Sequence, residues 1–382
     1  MSCCRPMRIA VINRVFSRSG GGAESYAVAL VEQLASRHEI HVFAQESNHP
    51  VDGVSYHRVF CLGRRPRWIN QLVFATATWL QTRRGFDVVH SHENTWHGQI
   101  QTIHVRPIRR NLLFARSGAR RFLQWVKVAL SPRLITYVLL EGARFRSSLT
   151  RKVVATSDNL RMECERAYPH SRNSVAVILP GVSRAQQPIS RSAARQQLGL
   201  PQDGKWVLFV ANDYARKGLD TLLQALVHLP SDTRLIVVGN PKSAPRYRQQ
   251  AERMGLRGRV HFLGSLDGLS AAYWAADCLA HPTLEDSFAM VVLEAMAHGL
   301  PVVVSGPEHC GISRQLTHGV EALLLPDPKD SQLLAKLISS VLDKPSLAEN
   351  LRRHGLAFAN LHSWERAALQ YEQLYSQVVS KH

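Results

Sequence analysis

The sequence has no Cys-x-x-Cys pair. Its six cysteines, Cys3, Cys4, Cys61, Cys164, Cys278 and Cys310, are scattered along 382 residues. That spacing argues against a zinc site and a disulfide framework. Cys3 and Cys4 offer a lipidation site in principle, although a plain N-terminal tail is the simpler reading. There is no GxxxxGKS or GxxxxGKT phosphate loop, no GxGxxG dinucleotide fingerprint and no HExxH metal helix. ATP hydrolysis and metal-dependent hydrolysis therefore lose their usual signatures. No apolar run is long enough to span a bilayer. The opening, MSCCRPMRIAVINRVF, lacks the apolar core and small-residue cleavage site of a signal peptide. The expectation is a cytoplasmic chain.

Acidic residues are also scarce: 29 Asp and Glu stand against 47 Lys and Arg, a formal net charge of +18. The imbalance is local. Residues 1–182 hold 26 basic and 11 acidic side chains, a net of +15, and the remainder nets +3. Most of the excess lies in 106–152, where Glu141 is the only acid. There, in IRRNLLFARSGARRFLQWVKVALSPRLITYVLL, arginines alternate with Leu, Phe, Trp and Val. That mixture suits an anionic membrane surface or an anionic glycolipid acceptor. A solvated helical hairpin ranks second, and nucleic acid a distant third.

The length suits two domains, and 45% hydrophobic residues supply an ordinary core. Apolar runs alternate with helical patterns in both halves. MRIAVIN, EIHVFA, FDVVHSH, IQTIHV, RKVVATS and SVAVILP read as strands of the first half. WVLFVAN, RLIVVGN, RVHFLG, CLAHP, PVVVS and EALLLP read as strands of the second. Such alternation implies doubly wound parallel sheets, an α/β class with two Rossmann-like domains. PGVSRAQQPIS breaks the pattern as a link. The expected division is 1–182, 183–362, and a helix over 363–382 packing back on the first domain. Two such domains facing each other would leave a ligand cleft.

The most informative stretch is LEDSFAMVVLEAMAHGLPVVVS. A loop leaves the end of a buried strand and turns into a helix expected over 288–298, the place where open α/β sheets bind ligands. The helix N-terminus suits a phosphate. Asp286 precedes the helix and Glu294 sits on it, placed to hold hydroxyl groups rather than phosphates. An N-cap Asp and a solvated Glu are the plain alternatives. The apolar neighbours Val291, Val292, Leu293, Ala295 and Met296 make a purely surface role for Glu294 a poor fit. Arg216 and Lys217 follow another strand and precede a helix, where two cations can neutralise a diphosphate. Gly20, Gly21 and Gly22 follow the first strand and leave backbone room for a ligand, a weak signal alone. Among the histidines of VVHSHENTWHGQIQTIHVR, His104 ends a strand and could bond a sugar hydroxyl, whereas His90 and His92 read as structural.

Taken with SGGGAESY, VVHSHENTW, TIHVR, VVATSDNL, VILPGVS and VANDYARKGLD, these segments resemble the GT-B retaining glycosyltransferases of family 4 over nearly the whole chain. Within that family the basic segment and DYARKG are similar to the lipopolysaccharide core glucosyltransferases. The resemblance implies an acceptor-binding first domain and a donor-binding second one. It implies that Asp286, Phe288, Ala289 and Met290 contact the donor sugar and its phosphates, and that Glu294 holds the nucleotide ribose. Arg216 and Lys217 would stabilise the leaving diphosphate, Gly21 and Gly22 would give room near phosphates or acceptor, and His104 would touch the sugar. The implied reaction moves a hexose from a nucleoside diphosphate sugar, UDP-linked in the first instance, to a hydroxyl of a lipopolysaccharide core or other lipid-linked glycan, with retention. No cofactor and no essential metal are implied. The enzyme would sit peripherally on the inner face of the cytoplasmic membrane through 106–152. The alternatives are a sugar-nucleotide epimerase of the same fold and a non-catalytic protein binding membrane or nucleic acid through its basic face. Two departures stand out. Asp286 replaces the family's usual Glu, and Ala289 replaces the Gly of its Phe-Gly pair.

Overall fold

The computed structural model describes residues 5–18, 22–63, 66–110, 112, 118–146, 150–183 and 187–380. The chain divides into two compact units, Met1–Gly181 together with Trp364–His382, and Val182–Ser363.

The first unit is built on β1 (Arg8–Ile12), β2 (Val15–Phe16), β3 (Glu39–Ala44), β4 (Glu46–Ser47), β5 (Val54–Arg58), β6 (Val88–Ser91), β7 (Ile100–Ile103), β8 (Lys152–Ala155) and β9 (Val175–Val177). Its helices are α1 (Gly22–Leu34), α2 (Arg67–Thr82), α3 (Gly118–Ala129), α4 (Pro132–Arg144) and α5 (Asp158–Ala167). Seven strands form a sheet in the order β5-β3-β1-β6-β7-β8-β9, and β2 pairs with β4. Every pairing is parallel. Ile9–Ile12 and all of β6 and β7 are buried, because a parallel sheet covered on both faces needs continuous apolar strands rather than alternating ones. The edge strand β5, VSYHR, is the most exposed of the seven and has no apolar run.

The second unit contains α6 (Arg191–Gln197), β10 (Lys205–Ala211), α7 (Leu219–Val227), β11 (Thr233–Gly239), α8 (Ala244–Arg253), β12 (Val260–Gly264), α9 (Ser270–Ala275), β13 (Cys278–His281), α10 (Met290–Ala297), β14 (Val302–Ser305), β15 (Leu323–Leu325), α11 (Ser331–Asp343) and α12 (Pro345–Leu361). Its parallel sheet runs β12-β11-β10-β13-β14-β15. Phe209, Val237, Leu222, Leu226, Leu334 and Ile338 share one core cluster. The final helix, α13 (Trp364–Val379), belongs to the first unit. Its buried residues Trp364, Ala367, Ala368, Tyr371, Tyr375 and Val378 recur at helical spacing.

Each sheet reverses direction once. From β1 the chain builds outward through β3 and β5, then returns beside β1 with β6. From β10 it builds through β11 and β12, then returns beside β10 with β13. These two reversals, at the carboxyl ends of the strands, are where ligands bind in such folds. Among the described residues, no helix is long and apolar enough to cross a membrane.

Candidate functional site

In the second unit, the loops after β10 and β13 lie side by side at the reversal point. Gly218 makes the approach possible. Its φ is +83°, and a Cβ there would fall 1.9 Å from the Pro282 carbonyl oxygen, so only glycine fits. The loops are then joined by Leu284 N–H to the Arg216 carbonyl at 2.9 Å. This contact brings Lys217 Nζ to 2.5 Å from Asp286 Oδ2 and 3.1 Å from the Glu285 carbonyl. Arg216 stays exposed, with Asp213 as its ion-pair partner at 3.4 Å.

Asp286 is the centre of this arrangement. His281, the last residue of β13, donates from Nε2 to Oδ2 at 3.2 Å. Oδ1 accepts the amides of Phe288 at 3.2 Å and Ala289 at 3.0 Å. A carboxylate has about four acceptor positions, and these four bonds occupy them. Burial pushes the Asp286 carboxyl up, but the His281 hydrogen bond and the Lys217 charge outweigh it and hold the group well below the usual carboxylate range. The sequence placed Asp286 against the donor; in the structure its carboxylate is occupied with fixing the loop and holding Lys217. Lys217 keeps one of its three N–H donors beyond the two bonds above.

The helix after this loop begins at Met290, two residues later than the sequence suggested, because Ala289 is left-handed, at φ 72° and ψ 70°. It is the one non-glycine residue with positive φ among the described residues. The Phe288 and Ala289 side chains are buried. Their amides are held by Asp286 Oδ1, while Met290 is partly exposed. The first amides of α10 have no acceptor within the helix and carry its positive dipole end. Glu294 lies just over one turn further on. Tyr273, on α9, donates to its Oε2 at 2.7 Å. Burial raises the Glu294 carboxyl, and the Tyr273 bond only partly offsets this. Lys217, Asp286, Met290 and Glu294 thus share one loop-and-helix segment or touch it. His281 and Tyr273 are supporting residues that the sequence reading did not single out. The only signal for His281 was its place at the end of the CLAHP strand.

In the first unit, His104 follows β7 and His92 follows β6. Their rings stack 5.4 Å apart, with His92 Nδ1 3.1 Å from His104 Nε2. Burial, and then the charge of Arg144, lowers the His104 pKa to about 3, so the imidazole is neutral and can exchange hydrogen bonds with hydroxyl groups. Buried Asn13 Nδ2, Asn94 Oδ1 and His92 Nε2 have no partner among the described residues. His90 is structural: it binds Tyr375 at 2.8 Å and Thr102 at 2.7 Å. Gly22 opens α1, and Gly21 lies outside the described residues. Among the described residues, no group of three or more His, Cys, Asp and Glu side chains is arranged to hold a metal ion.

The basic segment forms α3 and α4. Phe122, Leu123, Trp125, Val126 and Leu130 are exposed on or just after α3. Its only acid, Glu141, is buried and accepts the amides of Ile108 and Arg109 and the Tyr168 hydroxyl. It therefore does not offset the surface charge.

Residues 20–186 match the Glycosyltransferase Family 4 model, and residues 190–357 match the model for glycosyl transferases group 1. The lipopolysaccharide glucosyltransferase WaaG of Escherichia coli K12 is 28% identical over 238 residues, covering 59% of this chain and 63% of WaaG. The D-inositol 3-phosphate glycosyltransferase of Mycolicibacterium smegmatis is 33% identical over 221 residues, covering 55% of this chain and 50% of that protein. The chain thus matches less than two thirds of the length of these relatives. The crystal structure of WaaG, described as a glycosyltransferase involved in lipopolysaccharide biosynthesis, aligns with a TM-score of 0.82 at 20% identity, covering 96% of this chain and 99% of that one. Anabaena HepE, crystallised with UDP and glucose, aligns with a TM-score of 0.75 at 21% identity, covering 97% and 99%. These two structural likenesses show the fold. With a Family 4 region followed by a group 1 region, the chain belongs to the GT-B glycosyltransferases and resembles those of the lipopolysaccharide core.

Proposed function

We propose that this protein is a retaining hexosyltransferase that moves a hexose from a UDP-sugar to a hydroxyl of a lipopolysaccharide core or other lipid-linked glycan. The observation that carries the reading is the Lys217–Asp286 pair, held at the reversal point of the second sheet beside the N-terminus of α10 and Glu294. Lys217, Arg216 and the α10 amides would meet the diphosphate as negative charge grows on it, the kind of stabilisation that usually dominates catalysis. Glu294, with one oxygen held by Tyr273, would accept ribose hydroxyls through the other. His104 and the open polar atoms of Asn13 and Asn94 would bind sugar hydroxyls. The leaving phosphate would help to deprotonate the acceptor on the same face of the sugar, which gives retention without a protein nucleophile. Because protein cations meet the diphosphate charge, no metal is required.

The support for UDP and for a glycolipid acceptor comes from relatives: WaaG is named a lipopolysaccharide glucosyltransferase, and HepE was crystallised with UDP-glucose. We place the enzyme in the cytoplasm, peripheral on the inner membrane face, through the exposed apolar residues of α3 and the exposed Lys127 beside them. The deciding experiment supplies purified protein with radiolabelled UDP-glucose, UDP-galactose, ADP-glucose and GDP-mannose, truncated lipopolysaccharide, and EDTA in a parallel series. Transfer from a UDP-sugar, unaffected by EDTA and lost in Lys217→Ala, is expected. Folded protein that transfers from no donor, or that isomerises the nucleotide sugar without acceptor, defeats the reading.

A further inference from the structure

The amino-terminal edge of the first sheet carries a cavity of about 380 Å³, within the size range of small-ligand sites. Trp79 and Arg83, at the end of α2, form one side. Trp96 and His97, ahead of β7, and Arg151, ahead of β8, form the other. β7 separates it from His104: His97 lies before the strand and His104 after it, a span of about 13 Å at 3.3 Å per residue over the strand. It is therefore a separate place from the hydroxyl-binding edge described above.

Three features of its lining point to one kind of ligand. First, His97 is only 9% exposed, and neither ring nitrogen has a partner among the described residues. A buried imidazole left unbonded at both nitrogens calls for an explanation, and a ligand presenting a hydroxyl beside it supplies one. Burial, and then the charge of Arg151, lowers its pKa to about 4, so the ring is neutral and offers one donor and one acceptor. Second, the lining has cations and no acid. Arg151 donates to the Ala143 carbonyl at 2.7 Å and the Trp96 carbonyl at 2.9 Å, both neutral, so no carboxylate compensates its charge there. Third, two indoles line the same space, and Trp79 is 41% exposed. Broad apolar ring faces cover the C–H face of a pyranose while leaving its hydroxyls to polar neighbours.

We propose that this cavity is a second, non-catalytic binding site for an anionic monosaccharide unit, one carrying a phosphate or a carboxylate. The indoles take the sugar ring, His97 takes a hydroxyl, and Arg83 and Arg151 take the anionic group. This proposal does not depend on the transferase reading.

The test follows indole fluorescence of the full-length protein, with UDP present throughout to fill any donor site. The probes are glucose 6-phosphate, glucuronate, glucose and inorganic phosphate. Saturable quenching is expected with at least one anionic sugar, with glucose and phosphate each at least about tenfold weaker. The preference between glucose 6-phosphate and glucuronate identifies the anionic group. Arg83→Gln should weaken the preferred probe by about tenfold, and Trp79→Ala should weaken it similarly. Both positions are exposed, so folding should survive, which circular dichroism checks. For Trp79→Ala, which removes a fluorophore, calorimetry replaces the optical signal. Absence of saturable binding by either anionic sugar to folded protein overturns the proposal, as does binding that both variants leave unchanged.

Discussion

Asp286 shows how one side chain can carry both structure and function. If its main role were to touch a sugar, removing it would leave stability unchanged. The geometry gives the opposite expectation. Asp286→Ala strands the Lys217 ammonium and uncaps the amides of Phe288 and Ala289. The pair is part-buried, so the cost falls below that of a fully buried pair, at about 2–3 kcal/mol, to be measured by urea unfolding. The pH dependence follows from the same bonds. The folded carboxyl is depressed, so below an unfolded value of about 3.9 the folded chain binds fewer protons than the unfolded one. The stabilisation is full at neutral pH and is lost as pH falls from about 4 towards the folded value. Asp286→Asn should flatten that part of the stability curve. Ala289 makes a second test. Its left-handed backbone costs roughly 1–2 kcal/mol that glycine does not pay, against about 0.4–1 kcal/mol of extra unfolded-state entropy for glycine. Ala289→Gly is therefore expected to be neutral or to stabilise by up to about 1.6 kcal/mol, measured by thermal unfolding. Much of this site could be read from spacing: Asp286, Lys217 and Glu294 sit where strands give way to helices. His281 and Tyr273 could not, because a buried histidine and tyrosine look like ordinary core until the fold shows which carboxylate they face.

At the scale of elements, a packing contact between two loops builds the site. The Cβ of Gly218→Ala would meet the Pro282 carbonyl, a backbone atom that no rotamer change can move aside. The loops would have to part, taking Lys217 from Asp286. Destabilisation of about 3 kcal/mol or more is expected, together with loss of nucleotide-sugar binding in calorimetry. The α3 surface gives an independent prediction. Replacing Phe122, Leu123 and Trp125 by serine removes exposed apolar area without opening a core, so folding should be unchanged while co-sedimentation with anionic vesicles falls. Unchanged sedimentation would count against membrane docking by this helix. Elements with long apolar runs were legible in the sequence. β5 was not, because an edge strand such as VSYHR needs no apolar run. The start of α10 was misread by two residues, because apolar periodicity cannot show that Ala289 adopts a left-handed turn capped by Asp286.

At the scale of the whole molecule, the last helix decides which piece can fold alone. α13 is distant in sequence from the first sheet but part of its core. Tyr371 bonds Tyr26 at 2.9 Å and Thr102 at 2.8 Å, and Tyr375 bonds His90 at 2.8 Å. Burying Trp364, Tyr371, Tyr375 and Val378 at about 1.5–3 kcal/mol each contributes roughly 6–12 kcal/mol. That is comparable with the whole stability of a typical domain, about 5–15 kcal/mol. A chain of residues 1–181 should therefore lack a cooperative thermal transition, while the same residues with 364–382 joined by a flexible linker should regain one. Residues 182–363 have their own continuous core and should unfold cooperatively without α13. If 1–181 folded as stably alone as with the helix restored, α13 would be an accessory to the first unit rather than part of its core, and its tyrosines would need another explanation.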